Sequence, residues 1–104
     1  MEGCLFCDIA EKRRPADIVS ETDEVVIFKD INPKARVHLL VVPKRHIASV
    51  KDVEESDRAM LGGLILAARD AAKRENLTGY KLLFNVGRDG GQVIDHVHLH
   101  LIAN

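Results

Sequence analysis

Three histidines at two-residue spacing, His96, His98 and His100, stand in the stretch HVHLHL, and the whole 104-residue chain holds only five. On an extended strand, side chains alternate between faces. These three imidazoles would therefore share one face while Val97, Leu99 and Leu101 take the other. Imidazole titrates near neutrality, with an unperturbed pKa of about 6.5, and its neutral form is both a metal ligand and a nucleophile. Two chemistries follow from the residue types alone. In one, the histidines hold a catalytic metal whose open position carries water. In the other, one neutral ring attacks phosphorus while its neighbours orient it and the phosphate. The inert reading is a solvated strand face that merely uses histidine. The run Gly87-Arg88-Asp89-Gly90-Gly91-Gln92 just before the row tilts the choice toward phosphate, because backbone N–H groups of a glycine-rich loop are what phosphate oxygens need.

A second reactive pair stands near the other end. Cys4 and Cys7 form Cys-x-x-Cys, which in a reducing compartment is more often a metal half-site or a redox pair than a structural disulfide. A thioredoxin-like role would want a strand before the pair, and none is visible.

Composition narrows the partners. Fifteen Lys and Arg against sixteen Asp and Glu leave a net charge of -1, so no global field attracts a nucleic-acid backbone or an anionic membrane, and any anion must be gripped locally. The apolar runs Leu39 to Pro43 and Leu61 to Ala68 fall short of the roughly 18 residues of a membrane span. Met1-Glu2-Gly3 shows no leader pattern, and Gly3 stands one place too late for myristoylation; the expected location is the cytoplasm. One domain over residues 1–104 is expected. At 46% hydrophobic content and this length, a core gains from a metal or a partner subunit, which makes a homodimer the expectation.

The elements that must position these groups read as follows. Cys4 to Arg13, with Leu5, Phe6 and Ile9 on one side and Pro15 beyond, predicts a short helix. Ile18–Ser20, Val25–Lys29 and Val37–Val42 predict strands, with a turn at Asp30-Ile31-Asn32-Pro33. Asp52 and Glu55 have the spacing of an N-cap and its capping-box partner, opening a helix to about Asn76. Its core stripe is Leu61, Leu64, Ile65, Ala68 and Ala72. Gly62 and Gly63 inside that helix cost roughly 1 kcal/mol each against alanine, which suggests a close approach by another backbone. Gly79 to Val86 and Val97 to Ile102 predict the last strands, giving an α+β domain with a mostly antiparallel sheet.

The motifs CLFCDIA, FKDINPKARVHLLVVPKRHI, FNVGRDGGQ and HVHLHL, in this order and spacing, resemble the Hint branch of the histidine-triad superfamily, the histidine-triad nucleotide-binding proteins. The likeness extends over nearly the whole chain. It implies a five-stranded antiparallel sheet with one long and one short helix, and a dimer that joins two sheets into one of ten strands. It implies hydrolysis of purine nucleoside phosphoramidates, such as adenosine 5′-monophosphoramidate and lysyl-adenylate-type compounds. By the same resemblance His98 is the nucleophile that becomes transiently nucleotidylated, His100 hydrogen-bonds the phosphoryl group, and His38 supports proton movement. Asp30 matches the carboxylate that takes the ribose hydroxyls. Phe6, Ile9, Phe28 and Ile31 match the apolar slot for the base (AMP or GMP). Asn85, Gly91 and Gln92 match the phosphate loop. Without the family, those four apolar residues would read as plain core and Asp30 as a turn residue.

Cys4, Cys7, His46 and His96 correspond to the zinc-binding positions of related proteins that carry this Cys-x-x-Cys, implying a closed structural zinc site. Two departures from the branch stand out. Val93 occupies the place of a common serine after GGQ, so a hydroxyl that would meet the phosphate or its leaving group is missing. The sequence also ends four residues beyond His100, without the tail that shapes leaving-group selectivity in several relatives. A dinucleoside polyphosphate hydrolase, as in a sister branch, and a nucleotide-binding regulator with weak catalysis are the alternative functions.

Overall fold

The computed structural model describes residues 3–104; Met1 and Glu2, part of the leader reading, lie outside the described residues. Five strands form one antiparallel sheet, β1 (Ile18–Glu21), β2 (Val25–Lys29), β3 (Val37–Pro43), β4 (Lys81–Leu83) and β5 (Leu99–Ala103), in the order β1-β2-β3-β5-β4. A short helix, α1 (Leu5–Ala10), covers one face and a long one, α2 (Arg58–Arg74), the other.

Both faces of the central strands are buried, and strand periodicity divides their side chains between two cores. Val25, Ile27, Val37, Leu39 and Val41 face α2 together with Val97, Leu99 and Leu101. Val26, Phe28, Leu40 and Val42 face the α1 side with Cys4, Phe6, Cys7 and Ile9. This explains why β2 and β3 read as continuous apolar runs rather than as alternations. His38 and His100 follow the second set by parity. Register places His38 opposite Ile102 and Leu40 opposite His100, so the two histidines are diagonal neighbours, within reach of long side chains.

The structure corrects several boundaries. Asp52 and Glu55 do not cap the long helix; they lie in separate 3₁₀ turns, Val50–Asp52 and Glu55–Asp57, and α2 begins at Arg58. Buried Asp57 organises this entry instead, its carboxylate accepting the Glu54 N–H at 2.8 Å and pairing with the Arg45 guanidinium. Within α2 the buried positions are Leu64, Ala68, Ala71 and Ala72. Ile65, expected in the core, is 47% exposed. Ala71, not in the expected stripe, is buried instead, on the side of Leu64 and Ala68 away from Ile65. Gly62 and Gly63 face open space in the chain itself, so no neighbouring backbone of the same chain accounts for them. The strand read from Gly79 to Val86 pairs only over Lys81–Leu83, and His96, Val97 and His98 precede β5 rather than lying inside it. Among the described residues no helix is long and apolar enough to cross a membrane.

Candidate active site

The histidine row is not a solvated face. His96 is 0% exposed and His98 8%, because α1 lies over them: the Phe6 ring meets His98 edge-on with centroids 5.0 Å apart, and meets Phe28 at 5.4 Å. Burying three imidazoles is costly unless each finds partners, and those partners also settle which nitrogen of each ring carries the proton.

His98 Nδ1 lies 2.7 Å from the His96 carbonyl. A carbonyl only accepts, so this nitrogen carries the hydrogen, and Nε2 of the neutral ring keeps a bare lone pair. His96 is tied in the opposite sense, Nε2 donating to the Pro43 carbonyl at 2.8 Å and leaving Nδ1 bare. His38 Nδ1 accepts the main-chain N–H of Lys34 at 3.0 Å, so its Nε2 carries the hydrogen and donates to His100 Nδ1 at 2.9 Å. Asp30 Oδ2 lies 3.4 Å from the same His38 Nε2. The Asp30 carboxylate also accepts the Asn32 N–H at 2.8 Å, closing the turn after β2.

These surroundings hold the triad uncharged. Burial lowers the pKa of His98 below the ordinary imidazole value, against its bond to the His96 carbonyl and the Asp30 charge. Burial, then the neighbouring His98 and His38 rings, bring His100 to about 4. His96 is lowered as well, by burial first.

The thiols and the remaining histidine gather at His96 Nδ1. Cys4 Sγ lies 3.3 Å from it, Cys7 Sγ 3.5 Å and His46 Nδ1 3.1 Å, with Cys7 Sγ 3.3 Å from His46 Nδ1. Zinc bonds of about 2.3 Å to sulfur and 2.0–2.1 Å to nitrogen set donors roughly 3.3–3.8 Å apart around a tetrahedron, so the spacing fits a metal with little adjustment. The bare Nδ1 of His96 is the lone pair such a site requires, and the Pro43 bond is the outer contact that orients it. Burial, then the adjacent Cys4, raises the Cys7 thiol pKa. Asp30, His38 and His100 also bring donor atoms together, but the His38 nitrogen facing that cluster carries a hydrogen. It offers no lone pair to a metal.

The glycine loop is preformed. Gly87 and Gly91 take φ of +72° and +86°, conformations that favour glycine. Asn85 Nδ2 donates to the Gly90 carbonyl at 2.9 Å. The Gln92 side chain is buried and fully engaged, accepting from Gly87 N–H at 2.9 Å and donating to the Ala48 and Ile94 carbonyls at 2.7 and 2.9 Å. It braces the loop. Arg88 ties the loop to the Gln92 carbonyl and to Asp95.

Of the four residues matched to a base slot, Phe6, Ile9 and Phe28 pack together in the core on the α1 side, whereas Ile31 is 88% exposed beside Asp30. Val93 is 77% exposed. Side-chain types reveal neither the Lys34 amide nor the Pro43 carbonyl; both are main-chain groups, and only the fold brings them to the rings.

A five-stranded antiparallel sheet that presents a row of neutral imidazoles beside a glycine loop is the architecture of histidine-triad proteins. The chain belongs to the histidine-triad family. Residues 3–104 match the family model described as "Scavenger mRNA decapping enzyme C-term binding". Protein HitA of Neisseria gonorrhoeae is 44% identical, over 99% of this chain and 97% of its own. The crystal structure of a HIT family hydrolase from Legionella pneumophila Philadelphia 1 superposes with a TM-score of 0.96 at 43% identity, covering 98% of this chain and 93% of that one. A histidine triad nucleotide-binding protein from Candida albicans is 32% identical with a TM-score of 0.79, covering 95% and 73%. A zinc-bound histidine triad family protein from Mycobacterium smegmatis is 28% identical with a TM-score of 0.84, covering 98% and 75%.

Proposed function

We propose that this histidine-triad protein hydrolyses the P–N bond of purine nucleoside phosphoramidates through a nucleotidyl-His98 intermediate. The observation that carries the reading is the His98 Nδ1–H bond to the His96 carbonyl at 2.7 Å, which leaves Nε2 as a neutral nucleophile. Nε2 bonds to the α-phosphorus as the P–N bond breaks, and the amine leaves with a proton taken from solvent. Water then cleaves the His98–phosphorus bond, its oxygen going to phosphorus and one proton returning to solvent, which releases the nucleoside monophosphate and the neutral ring. His100 presents its Nε2–H to a phosphoryl oxygen, and the glycine loop offers main-chain donors to the same group. Asp30 takes the ribose hydroxyls, and exposed Ile31 closes over the base against the edge of the Phe6, Ile9 and Phe28 cluster.

Cys4, Cys7, His46 and His96 would hold a zinc ion whose contribution is structural, pinning α1 to the segment that carries the triad. The His96 tautomer and the zinc-bound relative support this assignment. The partner is a second copy. Exposed Leu82 and Leu83 lie on edge strand β4 and exposed Ile65 on α2; unpaired edges and exposed apolar side chains are what subunit contacts cover, and pairing at β4 would give a ten-stranded sheet.

Brief mixing with adenosine 5′-monophosphoramidate followed by mass spectrometry should show one adenylyl adduct, mapped to His98 and absent from His98→Ala. No adduct alongside turnover would overturn the covalent route. Faster turnover of a diadenosine polyphosphate than of the phosphoramidate would favour the sister-branch activity.

A further inference from the structure

His38 is the catalytic-face histidine that lies outside the terminal stretch, and its side chain is only 2% exposed. A main-chain N–H can only donate. With Lys34 N at 3.0 Å, His38 Nδ1 must accept, and a neutral ring then holds its one hydrogen on Nε2. His38 Nε2 in turn donates to His100 Nδ1 at 2.9 Å, so neutral His100 must carry its hydrogen on its own Nε2. We propose that the main-chain N–H of Lys34 is a positioning group for the reaction: it sets the tautomer of His38 and, through it, of His100, so that hydrogen bonds run one way from the β2–β3 turn to the phosphoryl group. Only the last link, to phosphate, rests on the proposed function.

The turn is built to hold that amide in place. Asp30 N donates to the His38 carbonyl at 3.0 Å, and the Asp30 carboxylate accepts the Asn32 N–H. Pro33 restricts the backbone immediately before Lys34. The Lys34 side chain is exposed and enters none of these bonds. Two other groups face the pair, and the Asp30 charge opposes the desolvation of His100 without changing the direction of the bond. Asp30 Oδ2, 3.4 Å from His38 Nε2, is a second acceptor for the same hydrogen, and the His98 ring lies beside His100 with centroids 5.0 Å apart. A protonated His100 would need a hydrogen on Nδ1 directed at the His38 Nε2–H, setting two donors face to face. The chain thus keeps His100 a neutral donor to phosphate and not a store of protons.

Long-range ¹H–¹⁵N spectra of the labelled full-length protein, with and without AMP, read the tautomers directly. Wild type should show both His38 and His100 protonated at Nε2. Lys34→Ala, which keeps the amide hydrogen, should retain that pattern. Lys34→Pro, which removes it, should give His38 as a mixture of tautomers. Relative to Lys34→Ala, it should lower kcat for a phosphoramidate by about tenfold or more, as expected for a displaced transition-state donor, and move the acid limb of the pH profile upward. An Nδ1–H form of His38 in wild type, or a single Nε2–H tautomer retained in Lys34→Pro, overturns the proposal. If Lys34→Pro does not fold, the wild-type spectrum decides alone. Wild type with the expected tautomers but no phosphoramidate turnover refutes the proposed function and leaves the tautomer assignment standing.

Discussion

A histidine becomes a nucleophile at neutral pH when one ring nitrogen is tied down and the other left bare, and that is the condition of His98, whose Nδ1 is held by the His96 carbonyl. Because burial lowers its pKa, the ring stays neutral to a lower pH than a free imidazole. The sign follows: attack requires the neutral form, present above the folded pKa and lost as pH falls through it. The acid limb of kcat/KM should therefore lie below pH 6.5, and a profile measured between about pH 4 and 8 checks it. A limb at or above 6.5 would mean that the ring is not desolvated in solution. Legibility at this scale was uneven. The histidine spacing announces a shared face, yet it cannot say which nitrogen is free, since that depends on carbonyls and amides from Pro43, Lys34 and His96 itself. Gln92 shows the same limit, matching a phosphate loop by its place in the motif while its side chain braces the loop from behind.

At the scale of elements, α2 tests the packing argument. Leu64 is fully buried between the helix and the sheet, so Leu64→Ala should lose about 3–5 kcal/mol, the range for a leucine whose cavity cannot collapse, measured by urea denaturation. Ile65→Ala, one residue on but facing outward, should cost under about 1 kcal/mol in the isolated chain. Equal losses would contradict the observed helix phase. The amphipathic period of this helix was readable, with Leu64, Ala68 and Ala72 buried as expected, but the exchange of Ile65 for Ala71 at the edge of the stripe and the start at Arg58 were not, because they depend on packing against the sheet and on the Asp57–Arg45 pair. Helix α1 depends on a different support. Removing metal with a strong chelator should lower the melting temperature, on the order of 10–20 °C for a ligand worth a few kcal/mol in a chain of this size, with zinc restoring it. Cys4→Ser should remove that response, whereas an unchanged melting curve in the presence of chelator would count against the site.

For the whole molecule, the unpaired β4 edge and the apolar outer face of α2 predict association. Ile65→Glu should shift the protein from dimer to monomer in analytical ultracentrifugation without unfolding it, because the substituted position faces solvent in the single chain. A wild-type monomer at micromolar concentration would remove the second copy from the account. The residue types, their spacing and the apolar runs were enough to specify an antiparallel α+β sheet, a face of imidazoles beside a glycine loop and a metal-type thiol pair near the start of the chain. Those properties are local, set by side-chain chemistry and backbone period. The meeting of Cys4 with His96, the donation of His38 to His100 and the opening of Ile31 to solvent were decided only by the tertiary structure. Each depends on groups far apart in the chain, or on main-chain atoms that every residue possesses and no sequence pattern distinguishes.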